Sequence, residues 1–224
     1  MLRRSLFLSL AFGTLGLSLG SAQAQTISMS VLPQIGAGLQ VGAYAVTLST
    51  SQHGGVTLHV ETSDPAIALI SNAAASPGVT FVDVFVPNGS NSISIWVHAL
   101  EDTTGTATIS ASAPGFTGTS RPAVVVTPAL EVTGLFASID TLDPADVFAV
   151  RVGLPNAGGA FVNTAQNVRV GGSLTATITN SNAPVAQLIT TPVTGQSVTV
   201  TIAAGSSQSP ASVATGGVSF DGLT

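Results

Sequence analysis

Pro65-Ala66-Ile67-Ala68-Leu69-Ile70-Ser71 returns 119 residues later as Pro184-Val185-Ala186-Gln187-Leu188-Ile189-Thr190. An alternating run precedes each copy, at residues 56–63 and 174–181. A second run follows each and closes on Gly-Ser: Val84-Phe85-Val86-Pro87-Asn88-Gly89-Ser90 and Thr201-Ile202-Ala203-Ala204-Gly205-Ser206, here 116 residues apart. The order is kept and the spacing changes by a small indel. That is the signature of a tandem repeat, in which each copy is one folding unit.

The residues inside each copy predict strands. Val56, Leu58 and Val60 alternate with Thr57, His59 and Glu61. Ile93, Ile95 and Val97, then Leu174, Ala176 and Ile178, then Val198, Val200 and Ile202 repeat that period of two. Such alternation buries one face of a strand and wets the other. Gly54-Gly55, Asp64-Pro65, Asn88-Gly89, Pro114-Gly115, Asp143-Pro144, Gly158-Gly159 and Gly171-Gly172 place turns between the runs. Residues 79–86 are apolar on both faces apart from Thr80 and Asp83, which predicts a central strand. Asn88-Gly89-Ser90 is a formal glycosylation acceptor, and the Asn-Gly pair predicts a hairpin turn.

The fold class expected is all-β: two tandem β-sandwiches, over residues 25–127 and 128–224, with a Pro-containing junction at Thr127-Pro128-Ala129. In the first copy, residues 105–111, a Pro114-Gly115 turn and residues 121–127 supply two closing strands. The second copy reaches Gly216-Gly217-Val218-Ser219-Phe220-Asp221 without a counterpart to them, so its sandwich is expected to lack its last two strands.

Composition narrows the function. The five basic residues are all Arg, there is no Cys, and charged residues make up 7% of the chain. A basic nucleic-acid surface, disulfides and thiolate metal sites are thereby excluded. Arg3-Arg4, an uncharged Leu-rich stretch over residues 6–19 and Ala22-Gln23-Ala24 read as a signal peptide over residues 1–24. Arg3-Arg4-Ser5-Leu6-Phe7 also looks like a twin-arginine signal. Residues 25–224 then carry three Arg against ten acidic groups, a net charge of −7. No later apolar run reaches the ~18 residues of a membrane span, so the mature chain is not expected to insert. The destination is the cell surface, the extracellular space or the periplasm.

The motifs Ser63-Asp64-Pro65-Ala66-Ile67-Ala68-Leu69-Ile70-Ser71 and Gly105-Thr106-Ala107-Thr108-Ile109-Ser110-Ala111-Ser112-Ala113-Pro114-Gly115-Phe116 resemble bacterial Ig-like repeats. Val150-Arg151-Val152-Gly153-Leu154-Pro155-Asn156 and Gln166-Asn167-Val168-Arg169 are similar to the longer repeats of very large bacterial surface proteins. The resemblance covers most of residues 27–224. It implies stalk, spacer or adhesin roles and other repeats of the same or a longer chain as partners, and it supplies no catalytic residues.

Chemistry-bearing motifs are few. No G-x-S-x-G elbow or H-E-x-x-H pair occurs, so the reading is non-enzymatic. His53 falls in a turn, and His59 and His98 fall on the polar phase of their strands. Trp96, the only Trp, shares the outward phase with His98, and these two are the candidate binding residues for a surface glycan or protein. Asp140, Asp143 and Asp146 are the candidate calcium ligands, because three carboxylates in one loop supply hard oxygens. No other cofactor is expected. A glycan-binding or calcium-dependent adhesion module is the alternative function, and an accessory domain of a secreted hydrolase comes last.

Overall fold

The computed structural model describes residues 24–159 and 161–223. The expected leader lies outside these, apart from Ala24. The described chain is all-β, with one short 3₁₀ turn at Val213–Thr215. No helix among the described residues is long and apolar enough to cross a membrane.

Nine strands build the first half: β1 (Ile27–Met29), β2 (Ile35–Gly36), β3 (Leu39–Leu48), β4 (Val56–Thr62), β5 (Ala68–Ser71), β6 (Phe81–Val86), β7 (Ser92–Ala99), β8 (Gly105–Ser112) and β9 (Thr119–Val126). One sheet runs β1-β3-β7-β5 and the other β2-β9-β8-β4-β6. The chain changes sheets between β1 and β2, so β1 lies antiparallel to β3 while β2 lies parallel to β9. Alternation decides what faces the gap between the sheets. Val46, Leu48, Ile70, Ile95 and Val97 from one sheet join Leu58, Val60, Ala107, Ile109 and Val125 from the other in a single buried cluster.

Two local expectations are corrected. Residues 79–86 do not form a central strand, because β6 ends its sheet beside β4. Its second apolar row faces outward, leaving Phe81 52% and Phe85 66% exposed. Asn88-Gly89 is not a hairpin turn either. It connects β6 to β7 in the opposite sheet, with Gly89 at φ 94°. The Asn88 carboxamide accepts the Gly54 N–H at 2.9 Å, tying this crossing to the neighbouring loop.

The second half repeats the path with β10 (Ala129–Thr133), β11 (Asp146–Pro155), β12 (Val162–Ala165), β13 (Asn167–Val168), β14 (Leu174–Thr179), β15 (Ala186–Ile189), β16 (Thr194–Gly195), β17 (Ser197–Ile202) and β18 (Val218–Gly222). Its larger sheet runs β10-β11-β18-β15, the order of β1-β3-β7-β5, and β14 pairs with β17 as β4 pairs with β6. No described strand of this half holds the place of β8 and β9.

Hydrogen bonding gives the register between the copies. Ile67 and Ala68 N–H donate to the Asp64 carbonyl, and Val185 and Ala186 N–H donate to that of Asn182. Ala68 therefore matches Ala186, and Ile70 matches Leu188. The alignment by residue identity is one position off here, pairing Ile70 with Ile189. A one-residue slip exchanges the faces of a strand, and it is Leu188, 2% exposed, that points inward. For β6 and β17 the sequence register is right, since Val86 opposite Val56 matches Ile202 opposite Leu174.

The longer connection from β11 to β14 joins the halves. Its strand β13 pairs with β3 through Asn167↔Gln40 and Val168↔Leu39. Thus β3 carries β1 along one part of its edge and β13 along another. Buried Gln166 accepts the Gly36 N–H and donates to the Gln34 carbonyl, each at 2.8 Å. Buried Gln40 donates to the Ala74 carbonyl at 3.0 Å and accepts the Val170 N–H at 2.8 Å. Arg169 closes the contact with a two-pronged bond to Glu101 at 2.8 and 2.7 Å. Burial works to raise the Glu101 pKa, but the Arg169 hydrogen bonds and charge outweigh it and hold the carboxyl below its ordinary range.

Replacing Gln166 with Ala strips both bonds and leaves the buried Gly36 N–H and the part-buried Gln34 carbonyl without that partner. The expected loss is about 2–3 kcal/mol. Urea unfolding of Gln166→Ala against the parent checks this, with exposed Gln52→Ala as the near-neutral reference.

Candidate functional site

An opening with Trp96 in its lining lies where the two halves meet. Val41 and Tyr44 flank a shift in the β3–β7 register. At Gly42 the backbone runs so close to the Trp96 indole that any Cβ there would collide with the ring. Trp96 thus lies flat along the bend instead of standing out from the sheet. Tyr44, opposite Ile95 in the ladder, also lines the opening but packs half-buried against the core, and that burial raises its phenol pKa. Leu154, Thr164, Ala165, Gln166 and Asn167 approach from the second half. The result is a cleft of about 380 Å³.

Its chemistry is neutral. No carboxylate, imidazole, guanidinium or ammonium is among the residues that line it. The Gln40 and Gln166 amides are both bound to the chain's own backbone. The Trp96 ring remains for stacking, with Thr164 and Asn167, both exposed, for hydrogen bonding.

Of the two binding residues expected from sequence, the structure places Trp96 here and removes His98. Both lie on the outer phase of β7, but His98 is fully buried. Period two states which face a residue is on, and here that face is covered. Gly78 packs against the imidazole, and a Cβ at that position would approach it to about 3.1 Å. Ser71 Oγ donates to the Ala73 carbonyl at 2.9 Å, so it accepts from His98 Nε2 at 2.9 Å. Nδ1 is then the bare nitrogen, and it is buried with no partner. Burial first, and the Arg169 charge second, push the His98 pKa down to about 4.

The other histidines also have structural partners. His59 Nδ1 lies 2.7 Å from Asp83 and Nε2 3.6 Å from Glu61, and the bond to Asp83 raises its pKa above the ordinary value. His53 donates from Nε2 to the Ser90 carbonyl at 2.9 Å and accepts the Gly55 N–H on Nδ1 at 3.1 Å.

Asp140, Asp143 and Asp146 do not assemble into a calcium site. No group of three or more His, Cys, Asp or Glu among the described residues is arranged to hold a metal ion. The carboxylates cap loop backbone instead. Asp140 Oδ1 accepts the Leu142 and Asp143 N–H groups at 2.8 and 3.1 Å. Asp143 Oδ2 accepts the Asp140 N–H at 2.9 Å, and buried Asp146 accepts the Phe136 N–H at 2.6 Å. Short Asp side chains favour such local bonds wherever a loop offers free amides.

Tyr44, Thr164 and Asn167 were not singled out from sequence. Tyr44 carried one usable signal, as the only Tyr of the chain. Thr164 and Asn167 carried none, because the docking of the halves brings them to the cleft. The chain matches no protein-family model, and no curated protein matches it.

His98 sets a pH dependence. Its folded pKa is depressed below the unfolded value of 6.5, so the unfolded chain binds the extra proton first as pH falls. Stability from this group is complete above pH 6.5 and declines toward pH 4, by on the order of 3 kcal/mol. Denaturant titrations at pH 7 and pH 4 on the parent and His98→Gln isolate it, since the variant lacks this acid limb.

Proposed function

We propose that this chain is a non-enzymatic structural module of an exported bacterial protein, a spacer or stalk repeat of Ig-like type. The observation that carries the reading is the junction between the halves. A tether alone would let them swing, whereas a strand pairing, two buried carboxamides and an ion pair hold them at one angle. A fixed angle suits a part whose work is to set distance and direction. The signal-like N-terminus, the scarcity of charge and the repeated strand path support the same role.

Two measurements test it together. Expression of the full chain in a bacterial host is expected to yield processed protein starting at Gln25, outside the cytoplasm. X-ray scattering from that protein is expected to fit one rigid particle, and a Gln166→Ala/Arg169→Ala double variant should broaden the distance distribution. Cytoplasmic, unprocessed chain, or a parent as flexible as the variant, overturns the reading.

A second reading rests on the cleft, as a site for a neutral sugar ring. Trp96 presents a stacking face while Thr164 and Asn167 offer hydrogen bonds, without the charge that an acidic sugar would require. Such aromatic contacts contribute about 0.5–1.5 kcal/mol each beyond area burial. Trp96 is the sole Trp, so its fluorescence reports the cleft alone. Titration with neutral hexoses and their oligomers is expected to give a saturable shift that exposed Asn167→Ala weakens several-fold. A flat response across that set removes this reading.

A further inference from the structure

The two halves contain an internal control. β1 sits against β3 through Ile27↔Leu48 and Met29↔Val46, and β10 sits against β11 through Leu130↔Val152 and Val132↔Val150. Leu130 and Val132 thus hold the places of Ile27 and Met29. Ile27 is 5% and Met29 3% exposed, whereas Leu130 is 46% and Val132 44% exposed.

What covers β1 is the β8–β9 hairpin and its turn. Ile27 N–H donates to the Thr117 carbonyl at 3.0 Å, and Arg121 Nε donates to the Met29 carbonyl at 3.1 Å. β8 also pairs with β4, from His59↔Ser112 to Thr62↔Ile109. β14, the counterpart of β4, is paired with β17 and has no described strand along its other edge. Between that edge and β10 runs a cleft of about 260 Å³, lined by Leu130, Val132, Val150, Ala176 and Ile178.

We propose that this cleft is the acceptor for a β-hairpin of the β8–β9 kind donated by a neighbouring repeat. Its first strand adds to the free edge of β14, and its second covers Leu130 and Val132. The occupant's chemistry follows from the first half. Ala107, Ile109, Ala111, Ala123 and Val125 face inward there, so the inward row is small and β-branched, alternating in β8 with Thr and Ser. A bulkier or charged inward row would not fill the space. A main-chain edge supplies the affinity in such strand addition and the side-chain row supplies the selectivity. The proposal rests on the reading of the chain as a repeat module and identifies that module's partner.

The test uses the chain's lack of cysteine. Val132→Cys gives a unique thiol in the cleft, and Thr175→Cys gives one on the exposed outer phase of β14. Each is made in the full chain with and without an appended copy of residues 103–127 joined by a flexible linker. The expected result is that the hairpin slows alkylation at position 132 by roughly tenfold or more, with little change at position 175. A matched fusion whose appended copy carries Asp in place of its inward Ile should leave position 132 as reactive as in the parent. Equal alkylation rates in all three forms overturn the proposal. Protection in the unfused chain that rises with protein concentration, together with a dimer in sedimentation, also overturns it, because a second copy then fills the cleft. Export and scattering are read on the parent, so failure here is separable from failure of the spacer reading.

Discussion

The arrangement of the halves depends on one edge of one strand. β3 is long enough to hold β1 near one end and β13 near the other, so a single ladder serves both the first sandwich and its neighbour. Backbone pairing fixes spacing and direction in a way that side-chain contact between two surfaces does not. The two buried glutamines then fasten it, Gln166 holding a donor and an acceptor across the junction and Gln40 holding the Val170 N–H across it while its own N–H group stays on the Ala74 carbonyl of the first half. Net hydrogen bonds are worth about 1 kcal/mol apiece, so their sum is modest beside the apolar cores. What they add is direction: a junction displaced by an ångström or two would leave polar groups buried and unpaired.

The same docking explains why the outer face of one sheet is dry. An antiparallel sheet ordinarily shows water one of its faces. Here the face carrying Gln40, Trp96 and His98 is partly roofed by the loop after β5 and by the second half. A histidine in that position is held neutral, and a tryptophan becomes the wall of a cleft. The cleft is thus a product of assembly, since neither half alone encloses it.

Much of the fold was legible in the sequence because period-two alternation is a local property. β4, β7, β14 and β17 lie where the alternation of Val, Ile and Leu places them. The readings that failed needed knowledge of what lay on the far side of a strand. Two apolar rows on β6 suggested burial on both faces, but its outer row of Phe81 and Phe85 stays in solvent. His98 had the outward phase of a surface residue and is covered from above. Repeat register by identity went astray at β15, because Leu69-Ile70 and Leu188-Ile189 look alike while inward position, not identity, is what packing preserves. β13 is two residues long, and nothing in Asn167-Val168 announces pairing across more than a hundred residues. For the site, Trp96 stood out by its rarity, whereas three Asp in one loop read alike as hard-oxygen ligands or as the backbone caps that they form here.

The parallel pairing of β2 with β9 has a mechanical consequence. Ile35 and Gly36 lie beside Val125 and Val126; the chain reaches them after the short β1 and leaves the first sandwich just beyond them. Tension applied along the polypeptide draws these two strands past each other lengthwise. Their hydrogen bonds are then loaded together in shear, instead of opening one after another as a peeled hairpin does. Resistance to pulling is governed by the barrier to unfolding and not by the equilibrium stability. A sandwich of modest stability can therefore carry a sustained load, and the polarity of one short strand decides it.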